Sequence, residues 1–99
     1  MIPIDLSGRV AIVTGGIQGL GKATADLLLR AGASVAVNYV DDAAGVSRQR
    51  AEEAAAQWGE SALVMPADVC DRQAMLRFFA TVQEKFGRID FLINNAAIL

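Results

Sequence analysis

The apolar run Val10-Ala11-Ile12-Val13 stops at Thr14-Gly15, and a helical repeat begins within a few residues. The run does not alternate with polar residues, so it reads as a strand covered on both faces. In the repeat, Leu20, Ala23, Thr24, Leu27, Leu28 and Ala31 recur at spacings of three and four, and Gly32 stops it. The unit then repeats in kind. A second strand reads from Ser34 to Asn38. A helix from about Ala43 to Trp58 follows, capped by Asp41 or Asp42 and ended by Gly59; Ala51, Ala54, Ala55 and Trp58 share one face. A third strand reads from Ala62 to Met65, before Pro66. A third helix, about Asp71 to Phe86, carries Met75, Phe79, Val82 and Phe86 as its buried stripe, and Gly87 closes it. The last strand is expected over Ile89 to Asn94. Connections this long exclude hairpins, so the βαβαβαβ order implies a parallel sheet with helices on both faces. Right-handed crossovers place those helices.

Length and composition narrow the class. The chain has 99 residues, enough for one small domain, and its apolar share of 54% suits a globular core. A net charge of −2 without a strongly basic stretch argues against nucleic acid as a partner. The apolar runs are too short to span a membrane, and Met1 to Gly8 lacks the features of a signal peptide. Cys70 is the single cysteine, so no internal disulfide forms, and a cytoplasmic location is the expectation. No histidine is present to activate that thiol.

The segment Val-Thr-Gly-Gly-Ile-Gln-Gly-Leu-Gly-Lys-Ala-Thr, residues 13–24, fits two phosphate loops. Counted from Gly16 it is G-x-x-x-x-G-K-A. A P-loop needs Ser or Thr directly after its lysine to hold Mg²⁺, and Ala23 has no oxygen to offer. Counted from Thr14 it is T-G-x-x-x-G-x-G, which seats a dinucleotide. Gly15 then permits the turn off the strand, Gly19 lets a pyrophosphate approach the backbone, and Gly21 lets the helix pack close to the sheet. No metal is required by this second reading.

Asp68-Val69 after the third strand and Asn94-Asn95-Ala96 after the fourth complete a pattern. With the glycine segment they make the chain resemble the N-terminal half of a short-chain dehydrogenase/reductase, from Leu6-Ser7-Gly8-Arg9-Val10 onward. The resemblance implies a Rossmann-like α/β sheet of order 3-2-1-4. Residues 1–99 would be the N-terminal, cofactor-binding part of a single domain. Thr14, Gly15, Gly19 and Gly21 would bound the pyrophosphate loop, and Gln18 and Leu20 would sit near the nicotinamide half. Asp68 and Val69 would meet the adenine ring, with Asn38 and Tyr39 bordering the adenine-ribose pocket. Asn94, Asn95 and Ala96 would line the ribose side and brace the sheet. Ala97 stands where the family pattern has glycine. Cys70 stands where a Ser or Thr often caps the third helix, which leaves Asp71 to cap it.

The resemblance also implies hydride transfer between a nicotinamide dinucleotide and a carbonyl or alcohol substrate, in a homo-oligomer. In the family a Tyr near a Lys, in Y-x-x-x-K, performs the acid–base step with an upstream Ser. Here the only tyrosine is Tyr39, and the residue four further on is Ala43. No catalytic residue is therefore assigned, and the chain alone is expected to be inactive. NAD is the expected cofactor, with NADP the alternative. No Arg or Lys lies between Arg30 and Arg48, while Asp41 and Asp42 follow the second strand. A non-catalytic nucleotide-binding or interaction module and, behind it, a P-loop-type phosphohydrolase are the other functional readings.

Overall fold

The computed structural model describes residues 4–96. Strands and helices alternate as β1 (Val10–Thr14), α1 (Gly19–Arg30), β2 (Ser34–Tyr39), α2 (Val46–Trp58), β3 (Ala62–Pro66), α3 (Arg72–Phe86) and β4 (Phe91–Ile93). All pairings are parallel and the strand order is β3-β2-β1-β4. Thr14 lies opposite Asn38, and Tyr39 opposite Pro66, so the strands end level with one another at their carboxyl ends.

Strand periodicity divides the core into two layers. Ala11, Val13, Val35 and Val37 face α1 and α2, where Ala25, Ala51, Leu28, Leu29 and Trp58 cover them. Val10, Ile12 and Ala36 face α3, where Phe78 and Val82 cover them. Both faces of β1 are thus apolar because both are covered, which explains the unbroken run in the sequence. Burying Phe78 alone contributes about 1.5–3 kcal/mol.

Two boundaries shift for local reasons, and one cap falls where the sequence puts it. Asp71 caps α3, as the sequence suggests, by accepting from the Ala74 amide at 3.1 Å. The deepest residue of that helix is Phe78, however, which the expected stripe omits; Met75, Phe79 and Phe86 are only partly buried. α2 begins at Val46 instead of Ala43, because the Gly45 amide closes a turn on the Asp42 carbonyl and Gly45 takes φ +75°. Asp42 still serves that helix start, accepting from the Ser47 amide at 3.4 Å. β4 is shorter than Ile89 to Asn94. The Asp90 carboxylate accepts from the Val10 amide at 2.8 Å and from Arg88, which makes residues 88–90 a clasp under β1 instead of strand.

Candidate functional site

The carboxyl ends of the strands are stitched together by three polar side chains. Thr14 Oγ1 accepts from the amides of Asn95 at 2.9 Å and Ala96 at 3.1 Å, tying β1 to the segment after β4. Asn95 Nδ2 donates to the Gly15 carbonyl at 3.1 Å. Asn38, buried at the end of β2, accepts from the Gly15 amide at 3.0 Å and donates to the Ala67 carbonyl at 2.8 Å. An asparagine suits that place because the turn offers a donor on one side and β3 an acceptor on the other. These contacts fix the path of the glycine segment before any ligand arrives.

The glycines then have separate tasks. A Cβ on Gly21 would lie 2.4 Å from Asn95 Nδ2 and 2.6 Å from the Gly15 oxygen, so α1 can approach the sheet only with glycine there. Gly16, which the loop motif leaves without a task, packs on β2: a Cβ would lie 2.4 Å from Val37 Cγ1. Gly19 differs from both. Its φ is +57°, and nothing lies within 4 Å of where its Cβ would be. The open side of the loop is therefore at the first turn of α1.

That turn suits an anion. The amides of Gly19, Leu20 and Gly21 precede the first helical hydrogen bond, which runs from the Lys22 amide to the Gln18 carbonyl at 3.1 Å. The first turn carries no acidic side chain, and the positive end of the helix dipole points into the opening. A groove of about 470 Å³ lies over it, lined among others by Gly15, Gln18, Leu20, Tyr39 and Ser47. A smaller hollow of about 140 Å³, lined by Tyr39, Val40, Ala67, Asp68 and Val69, shares Gly15, Tyr39, Val40 and Ala96 with it. Together they form a trough across the ends of β1, β2 and β3. The cradle fits a phosphate at its centre and a flat apolar group at the β3 end.

The expected residues divide accordingly. Gly15, Gln18, Gly19, Leu20, Tyr39, Asp68, Val69 and Ala96 line the trough. Asn38 lines it as well, but its side chain is committed to Gly15 and Ala67. Asn95 also lines the groove while bonding to Gly15, and Thr14 and Gly21 shape the trough from behind. Ala97 lies outside the described residues. The Asp68 carboxylate accepts from the Cys70 amide at 2.9 Å, which fixes it at the rim of the hollow. Desolvation, with Asp68 adding to it, raises the Cys70 thiol pKa, so the exposed thiol stays protonated. Burial, and then the charge of Asp41, raise the Tyr39 phenol likewise. Neither group is poised as a base. Gln18 turns toward α2, where Arg50 donates to its Oε1. Arg50 and Ser47 went unnoticed in the sequence, because α2 is separated from the loop by a whole strand.

The described residues contain no group of three or more metal-ligating side chains and no helix long and apolar enough to cross a membrane. A parallel sheet of order β3-β2-β1-β4 with a glycine turn and a helix N-terminus at its carboxyl end defines a Rossmann-like α/β protein. Residues 9–99 match the model of the short chain dehydrogenase family, and the chain belongs to that family.

Its relatives have varied activities. An uncharacterized oxidoreductase of Thermotoga maritima is 37% identical over 94 residues, which cover 95% of this chain and 36% of that protein. Human 15-hydroxyprostaglandin dehydrogenase [NAD(+)] is 39% identical over 95 residues, covering 96% of this chain and 35% of that enzyme. The 3-beta-hydroxysteroid dehydrogenase of Comamonas testosteroni is 38% identical, with 95% and 35% covered. Among solved structures, a short chain dehydrogenase from Bacillus anthracis superposes with a TM-score of 0.80 at 33% identity, covering 91% of this chain and 35% of that one. The chain thus spans about a third of the length of these relatives.

Proposed function

We propose that this chain is the cofactor-binding part of a nicotinamide-dependent oxidoreductase that moves a hydride between the dinucleotide and a carbonyl or alcohol. The observation that carries this is the trough itself, with its acid-free helix start, its open Gly19 and its braced loop. The pyrophosphate rests on the amides of residues 19–21. The adenine lies in the hollow by Asp68 and Val69, and the ribose lies near Tyr39 and Val40. The nicotinamide ring brings the hydride chemistry; these residues bind and orient the dinucleotide. Leu20, which is 77% exposed, gains an apolar partner when the trough fills. The preferred cofactor is NAD, because neither the loop nor the end of β2 carries its own cation and Asp41 and Asp42 follow β2.

Proton transfer is assigned elsewhere than in these 99 residues. The one tyrosine, Tyr39, lies at the end of β2 with no lysine four residues on, and its raised pKa disfavours the phenolate. The intact protein is proposed to work in the cytoplasm as a homo-oligomer. Titration of the protein made from its intact coding sequence with NAD and NADP, followed by an assay on ketones, aldehydes and secondary alcohols, tests this reading. Binding with turnover is expected. Failure to bind either dinucleotide rejects it, whereas binding without turnover on any of them favours the non-catalytic module.

A further inference from the structure

Asn38 alternates along β2 with Ala36, so its side chain turns toward α3 and away from α1 and α2. It is 2% exposed, and an amide buried that deeply costs folding energy unless its donors and acceptor are met. They are met by three different segments. Oδ1 accepts from the Gly15 amide at 3.0 Å. Nδ2 donates to the Ala67 carbonyl at 2.8 Å and to Met75 Sδ of α3 at 3.6 Å. Because the loop offers it a donor and residue 67 an acceptor, the amide fits in one orientation only.

Each partner belongs to a different part of the trough. Gly15 opens the glycine loop with φ +68°; Asn38 holds its amide and Asn95 its carbonyl. Ala67 precedes Asp68 and Val69, which line the hollow at the β3 end. The Ala67 amide donates to the Tyr39 carbonyl at 2.9 Å while its carbonyl accepts from Asn38, so the wall of the hollow hangs from the end of β2 by both groups of one residue. One side chain therefore sets the spacing between loop and wall. A dinucleotide has to bridge that spacing, and a loop or wall that must be ordered during binding costs affinity.

We infer that Asn38 is a positioning residue of the dinucleotide site: acting through Gly15 and Ala67, it holds the glycine loop ready for the pyrophosphate and the wall of the hollow ready for the adenosine. The inference rests on the dinucleotide reading above. The role requires a group that accepts on one side and donates on the other. An aspartate in this place meets the requirement only as the neutral acid, because its anion accepts from Gly15 but repels the Ala67 carbonyl. Burial raises the pKa of such a carboxyl, so the competent acid form gains as pH falls.

Equilibrium binding of NAD and of adenosine to wild-type and Asn38→Asp protein, made from the intact coding sequence, decides it between about pH 8 and about pH 5. The variant-to-wild-type ratio at each pH cancels the titration of groups that both proteins share: Tyr39 on β2, Asp68 and Cys70 after β3, and Asp71 and Arg72 at the start of α3. At the upper pH the variant, folded by circular dichroism, is expected to bind both probes about tenfold more weakly. At the lower pH both gaps should close to within about twofold, as the acid restores the two bonds. Gaps that are absent, or that do not narrow, overturn the inference while leaving the dinucleotide reading intact. A gap for NAD alone overturns it too, since a new charge repels the pyrophosphate without any positioning, whereas adenosine is neutral. A variant unfolded at either pH overturns it as well, because the bonds then serve the fold and not the loop. If the wild-type protein binds NAD but not adenosine, the hollow is not the adenosine site and the inference falls alone; if it does not bind NAD, both readings fall together.

Discussion

β2 and β4 both pair with β1, yet they end in opposite surroundings. Five of the six residues of β2 are buried, whereas Phe91 and Leu92 of β4 are 40% and 51% exposed. Composition predicts the reverse, since Phe-Leu-Ile is the more apolar strand and β2 contains a serine, an asparagine and a tyrosine. What differs is the cover. β2 has a strand on each side, α1 and α2 over one face and α3 over the other, while β4 has a partner on one side only. A hollow of about 400 Å³ lined by Leu76, Phe79, Leu92 and Asn94 marks the under-covered corner. An apolar strand tells which residues need burial, and its neighbours decide whether they obtain it.

Register makes the comparison sharp, because Ile12 and Leu92 are opposite each other on β1 and β4. Ile12 is fully buried, so Ile12→Ala should lower the stability of the protein by about 2–5 kcal/mol in urea unfolding. Leu92→Ala in the 99-residue chain should lower it by less than about 1 kcal/mol, since half that side chain is already in water. Equal losses would mean that β4 is covered in solution. The glycines give the next largest contrast. Gly21→Ala drives a Cβ into Asn95 and the Gly15 carbonyl, and should destabilise by about 1–3 kcal/mol. Gly19→Ala meets only the strain of a positive φ, about 1 kcal/mol, yet places a methyl group on the open side of the loop. Its loss of dinucleotide affinity should therefore exceed its loss of stability, and calorimetry beside binding titration separates the two.

The exposed strand carries the third expectation. Unpaired backbone beside Phe91 and Leu92 is a template for further pairing. The 99-residue chain by itself should form oligomers or aggregates in light scattering, and Leu92→Lys should shift it toward monomer with a stability change within about 0.5 kcal/mol. A monodisperse wild-type monomer with slow amide exchange over residues 91–93 would contradict this.

The smallest effect concerns acid. The Arg88 hydrogen bonds, followed by the Val10 amide, hold the Asp90 carboxyl below the usual carboxylate range. A depressed folded-state pKa stabilises the fold above the unfolded carboxylate value of about 3.9 and is lost as pH falls through the folded value. Asp90→Asn should thus flatten the stability profile below about pH 4. An unchanged profile would show that the clasp under β1 contributes nothing to folding.

The order of elements was legible because each strand is an apolar run and each helix a three-and-four repeat closed by glycine. Asp71 as a cap was legible for the same local reason. The deep position of Phe78 was not, because periodicity names a face but the sheet decides which part of that face meets Ile12 and Ala36. The short β4 was hidden too, since the bond from Asp90 to Val10 joins residues 80 apart. In the site, glycine spacing pointed to the loop, and its φ demands and helix-start chemistry are local properties. The tasks of Gly16, Asn38 and Arg50 are not local. Gly16 must avoid Val37, Asn38 must find a donor and an acceptor on two different segments, and Arg50 must reach Gln18 from another helix. Sequence by itself determined the strands, the helices and the place of the glycine turn between β1 and α1, because hydrophobic period and backbone freedom act over a few residues. Only the tertiary structure decided which polar groups brace that loop and which cation faces it, because those contacts arise when the chain is folded back on itself.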